Sequence, residues 1–175
     1  MDESRIRDSE TEKPIFLVGF MGAGKTTVGQ ALANKLKRDF FDLDSVIERR
    51  TGKSIQQIFS DHGESEFRRI ERQAIEYCRE LKRAVVALGG GAYLAEENRQ
   101  TLRESGITVW LDCPFEICFE RVRGDGSRPL LGTEDEMKSL LDKRRPAYAL
   151  ADYVVETGAR SPDEIATEII RLKFL

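Results

Sequence analysis

A single histidine, a single tryptophan, five prolines and three cysteines in 175 residues mark out what this chain does not rely on. Cys78, Cys113 and Cys118 are an odd number without metal-ligand spacing. They exclude a disulfide framework and point to a reducing cytosol, with all three as small buried or half-buried hydrophobes. The lone His62 precedes a glycine in a connection between helices and reads as an exposed loop residue. No apolar run approaches the roughly 18 residues that a membrane span requires. The segment Met1–Lys13 carries eight charges and no apolar stretch, so it reads as a frayed, disordered tail and not as a secretory signal. There is also no basic excess. Lys and Arg number 28 against 31 Asp and Glu, a formal net charge of −3, which argues against sequence-independent nucleic-acid binding. Neither nucleic acid nor a membrane is expected as a partner, and the compartment expected is the cytoplasm.

What is present suits one packed domain over 14–175. Hydrophobic residues make up 40% and charged residues 34%. Ile15–Val18 reads as a buried strand ending in a glycine-rich turn, followed by a helix with Val28, Leu32 and Leu36 on one face. Phe40-Phe41 leads a short strand into Asp42-Leu43-Asp44. Ser54 to Gln57 is a capping box opening a short helix, and Phe67, Ile70, Ala74, Tyr77 and Leu81 mark the stripe of a longer one. Ala84–Leu88 and Ile107–Leu111 read as strands around a helix over 96–105. Pro114–Arg123 reads as a helix with proline in its first turn. The stretch 124–133 is glycine-bearing and basic and reads as a mobile lid. A capping box at Thr133–Glu136 starts a helix towards Arg145, Tyr153–Val155 is a last strand, and Ser161–Glu164 caps a closing helix with Ile165, Ile169 and Leu172 inward. Apolar strands alternating with helices predict an α/β fold in three layers, a parallel sheet covered on both faces. Its ligands belong at the carboxyl ends of the strands.

Gly19-Phe-Met-Gly-Ala-Gly-Lys-Thr26 fits G-x-x-x-x-G-K-[ST] between a strand and a helix. Such glycines let backbone N–H groups of Gly22, Ala23, Gly24 and their neighbours converge on phosphates, at the positive end of a helix. Lys25 would reach the outer phosphates, and the Thr26 hydroxyl would ligate magnesium. After Ala84–Leu88 stands glycine where a Walker-B aspartate is usual, so the magnesium-supporting acid must come from elsewhere, with Asp42 as candidate. Asp42 and Asp44, one residue apart at a strand end, can point to the same side. One acid near magnesium and one near an acceptor hydroxyl would serve phosphoryl transfer, although both could merely cap the next helix. Arg68 and Arg144 suit an anionic acceptor, or are solvated surface residues. Gly89-Gly90-Gly91 allows close backbone approach to a ligand, or forms a bare tight turn.

The ordered set G-x-x-G-A-G-K-T-T, D-L-D, E-F-R-R-I-E, L-G-G-G-A, R-P-L-L and K-R-R-P-x-Y, spread over about 14–173, closely resembles the shikimate kinases. The resemblance implies a P-loop fold like that of the nucleoside monophosphate kinases, with five parallel strands and a hinged lid. It implies transfer of the γ-phosphate of ATP to the 3-hydroxyl of shikimate, with magnesium, in aromatic amino-acid synthesis. By the same resemblance Lys25, Asp44 and Arg128 are catalytic, Asp44 as the substrate-contacting base and Arg128 as the lid arginine. Gly22, Ala23, Gly24, Lys25, Thr26, Thr27, Arg121, Arg128 and Arg160 contact ATP, with Arg121 and Arg160 beside the adenine. Arg68 and Arg144 bind the carboxylate, Gly89, Gly90 and Gly91 touch the substrate, and Thr26 and Asp42 serve magnesium. ATP and shikimate are the expected partners of a monomer. A gluconate-type kinase and a nucleotide-binding regulator without turnover remain the competing readings.

Overall fold

The computed structural model describes residues 12–124 and 132–172. The apolar run forms β1 (Ile15–Val18), and β2 (Asp39–Asp42), β3 (Ala84–Ala87), β4 (Ile107–Asp112) and β5 (Tyr153–Glu156) follow. All pairings are parallel, in the order β2-β3-β1-β4-β5. Phe16 of β1 stands opposite Val86 on one side and Thr108 on the other. Composition follows position. The central strands β1 and β3 are buried at every residue, whereas the edges Asp-Phe-Phe-Asp and Tyr-Val-Val-Glu keep half-buried and exposed positions.

Seven helices are seen among the described residues: α1 (Lys25–Leu36), α2 (Leu43–Thr51), α3 (Ile55–Arg79), α4 (Glu96–Ser105), α5 (Phe115–Gly124), α6 (Glu134–Tyr148) and α7 (Pro162–Ile170). From β1 the chain moves outward in one direction to reach β2, and from β3 it crosses in the other direction to reach β4. Right-handed crossovers therefore place α1 and α4 on opposite faces. α1 packs on α7, and α3 packs on α2 and α4. The strand order thus reverses at β1, which puts a crevice at its carboxyl end.

The expected elements are present, with local corrections. The buried stripe of α3 runs through Phe67, Glu71, Ala74, Ile75 and Cys78, one step round from the stripe expected. Tyr77 stays 45% exposed, its ring covered by the Arg50 guanidinium at 5.2 Å, so it is not a core residue. The short and long helices read between Ser54 and Leu81 adjoin directly. Only Gly63 breaks helical geometry (φ 78°, ψ 177°), so His62 is an exposed helical residue and not part of a loop. The last helix before β5 continues past Arg145 through Pro146 to Tyr148. All three cysteines are free and buried.

Of the charged N-terminal segment, Glu12 and Lys13 are held. The Arg83 amide donates to the Glu12 carbonyl at 2.8 Å, and Arg38 Nη1 donates to the Lys13 carbonyl at 2.8 Å. Residues 1–11, and the stretch 125–131 with Arg128 and most of the expected lid, lie outside the described residues. No described helix is long and apolar enough to cross a membrane.

Candidate active site

The loop after β1 has the shape its glycines foretell. Gly22 takes φ +75°, and a methyl group there would run into the Cys118 carbonyl oxygen. Gly24 takes φ +90° at the N-cap of α1, and no side chain caps that helix. The first-turn N–H groups of α1 are left to a ligand, at the positive end of the helix dipole. Lys25 Nζ arches back to the carbonyls of Gly19 (2.9 Å) and Phe20 (2.8 Å), and Thr27 Oγ1 donates to the Gly24 carbonyl at 3.0 Å. A cleft of about 450 Å³ lies over this loop. Loop residues 21–27 form its floor, Asp42, Asp44, Gly89 and Gly90 one wall, and Arg121, Arg160 and Pro162 the other.

The two acids are separated by an element boundary. Asp42 ends β2, and its Oδ1 accepts from the Asp44 and Ser45 amides (3.1 and 3.3 Å) as the N-cap of α2. Asp44 therefore sits in the first turn of a helix, and strand alternation is not what brings the pair to one side. Oδ2 of Asp42 takes the Thr26 hydroxyl at 2.9 Å. Capping and site chemistry thus coexist in one carboxylate, and the oxygens of Thr26 and Asp42 form a hard-donor corner beside the phosphate loop.

Behind Asp44 the glycine turn opens into a recess. A methyl group on Gly89 would lie 3.0 Å from Asp44 Oδ1 and 3.6 Å from Glu71 Oε1. One on Gly90 would lie 3.4 Å from Arg144 Nη1, and one on Gly91 only 2.7 Å from Arg68 Nη1. At Gly89 and Gly91 a charged side chain crowds the space a side chain would take, and at Gly90 the Arg144 guanidinium stands in van der Waals contact with it. Two arginines and two carboxylates so converge on three glycines, with Arg144 stacked over Phe20 at 5.9 Å. Arg68 Nη1 pairs with Glu71 Oε2 at 2.9 Å, and its Nη2 with Glu64 Oε1 at 3.2 Å. Glu71 is 1% exposed. Burial pushes its carboxyl above the usual range, Asp44 adds to that, and Arg68 and Arg144 pull the other way.

Every described residue expected at the site lies in the cleft or in this recess. Sequence reasoning passed over three that matter. Glu71 stands on the buried stripe of α3, and a carboxylate at a core position three residues after Arg68 was the available signal. Tyr148 is fully buried and donates its hydroxyl to the Gly90 carbonyl at 2.5 Å. Pro162 adds an apolar surface to the cleft lining. Arg121 Nη1 donates to the Gly22 carbonyl at 3.1 Å, and Arg160 Nη1 to the Glu156 carbonyl at 2.8 Å. Both thus hang over the cleft from fixed points.

A phosphate-binding loop joined to an arginine-lined recess through two aspartates is a bisubstrate arrangement. The family model described as shikimate kinase matches residues 21–173. A shikimate kinase of Persephonella marina is 46% identical over 157 residues, covering 89% of this chain and 96% of that protein. One of Thermodesulfovibrio yellowstonii is 44% identical over 162 residues, covering 91% and 94%. Among solved structures, shikimate kinase from Acinetobacter baumannii in complex with shikimate superimposes with a TM-score of 0.88 at 41% identity, covering 95% of this chain and 96% of that one. A gluconokinase from Sinorhizobium meliloti reaches a TM-score of 0.58 at 18% identity, which is a likeness of fold alone. With sequence and fold in agreement over nearly its whole length, the chain belongs to the shikimate kinase family.

Proposed function

We propose that this chain transfers the γ-phosphoryl group of ATP to the 3-hydroxyl of shikimate, releasing ADP and shikimate 3-phosphate, as a step in chorismate and aromatic amino-acid synthesis. The observation that carries this reading is the continuity of the phosphate-loop cleft with the recess of Arg68, Arg144 and Gly89–Gly91, with Asp44 at their junction. A carboxylate bound between two guanidinium groups fixes one end of a small polyhydroxylated ring. Asp44 then orients a ring hydroxyl and accepts its proton as that oxygen bonds to the γ-phosphorus. The bond from the γ-phosphorus to the β–γ bridging oxygen breaks, and the charge released stays on ADP.

The chain's own groups answer that charge. Lys25 turns from the Gly19 and Phe20 carbonyls towards the outer phosphates, and the N–H groups of Gly22 to Thr27 hold the inner ones. Arg121 and Arg160 flank the space for the adenine, and Arg128 is assigned to the transferring phosphate by its place in the R-P-L-L motif. The oxygens of Thr26 and Asp42 fit a magnesium ion, the first directly and the second through a water of the metal shell. Bound there, magnesium supplies charge neutralisation on the phosphates. All of these groups belong to one chain, and the enzyme is taken as a monomer of the cytoplasm.

A coupled ADP-release assay with shikimate, with gluconate and with no acceptor tests the reading. Turnover with shikimate alone is expected. Preference for gluconate would reassign the acceptor, and nucleotide binding without turnover on any acceptor would leave a regulator.

A further inference from the structure

The two arginines of the acceptor recess are held very differently. Arg68 is gripped by Glu64 and Glu71. Among the described residues Arg144 makes no ion pair within 4 Å, and its Nε is buried without a hydrogen-bond partner. Phe20 stacks on its guanidinium, and a polar group is needed to set the direction of its N–H bonds. Tyr148 stands four residues further along α6, on the same face of the helix. Its ring is fully buried and leans on Trp110, with centroids 6.0 Å apart. Its hydroxyl donates its one proton to the Gly90 carbonyl. The phenol oxygen's remaining capacity is to accept; burial raises the phenol pKa, and the positive charge of Arg144 pulls against that rise. Gly90 in turn presents its open face to Arg144 Nη1.

We propose that Tyr148 is a positioning residue of the acceptor site, its hydroxyl tying the Arg144 guanidinium to the Gly90 carbonyl so that the carboxylate fork and the glycine turn keep one fixed separation. This deepens the functional reading above and rests on it. The hydroxyl acts on the acceptor only through Arg144 and Gly90, and its own hydrogen bond goes to the Gly90 carbonyl and not to the phosphate loop. Its loss falls on acceptor binding, with little effect on nucleotide binding or the chemical step.

The test is a kinetic double-mutant cycle on the full chain with Tyr148→Phe, Arg144→Ala and both together, using shikimate and ATP as probes. Tyr148→Phe keeps the ring and its packing on Trp110. It is expected to raise the KM for shikimate about tenfold, with kcat and the KM for ATP within about twofold of wild type. In the Arg144→Ala background the same change is expected to shift the shikimate KM by less than about twofold, because the route through Arg144 is already gone. An unmoved shikimate KM in Tyr148→Phe, a full additive effect in the double variant, or an equal rise in both KM values would each overturn the proposal, the last pointing to a general structural role. Lack of shikimate turnover by the wild-type chain would instead sink the functional reading, and this proposal with it.

Discussion

The carboxylate of Asp42 does two jobs with two oxygens, one capping α2 and the other meeting Thr26. Replacement by asparagine keeps a capping oxygen and removes the charge. Asp42→Asn should therefore fold, need more magnesium, and recover rate as magnesium is raised, because mass action refills a weakened site. Asp44→Asn should lose roughly 10² in kcat and show no such rescue, since no metal concentration restores a missing base. A magnesium titration of initial rates at saturating shikimate separates the two, and matching curves would abolish the division of labour between them. Both acids were legible in the sequence as a D-x-D at a strand end, a pattern that helix capping alone could also explain. Glu71 and Tyr148 were not. Each sits where periodicity or size calls for a core residue, and only the fold reveals that its polar end faces the recess.

At the scale of the element, most of the architecture could be read from capping boxes and apolar runs. Ser54, Thr133 and Ser161 each accept from the amide three residues on, as their patterns foretold. What the pattern misplaced was the stripe of α3, because apolar residues on a helix used for ion pairing and stacking are not all turned inward. Tyr77, under Arg50, is the clearest instance. The capping of α6 also has a measurable consequence. Thr133 caps one end of a 15-residue helix, and Arg144 and Tyr148 lie at the other, about 16–22 Å away at 1.5 Å per residue. Thr133→Ala should cost about 1 kcal/mol in urea unfolding. The KM for shikimate should stay within about twofold, since Tyr148 anchors the far end to Gly90. A large loss of acceptor affinity would mean that α6 transmits disorder along its whole length.

For the whole molecule, the buried carboxyl of Glu71 links stability to pH. Its folded pKa lies above the unfolded value of about 4.3, so between the two the native state holds a proton that the unfolded state has released. Stability from this group is full below the unfolded pKa and declines as pH rises through the folded one. Glu71→Gln should flatten that decline. Urea melts of both proteins from pH 4 to 7 will show it, and identical slopes would mean that Arg68 fully offsets the burial. A different consequence follows from the order of the strands. β1 is the first of the described strands to be made, yet it is central, and its two neighbours begin at Ala84 and Ile107. β2, the next to be synthesised, pairs only with β3. A growing chain on the ribosome thus carries its most apolar strand and its complete phosphate loop unpaired until Ala87 has been made, and paired on one side alone until Asp112. Closing such distant parallel pairs is slow and leaves sticky surface open meanwhile. Nascent chains stalled before about residue 112 should be protease-sensitive and dependent on chaperones, and the nucleotide site is among the last features that synthesis completes.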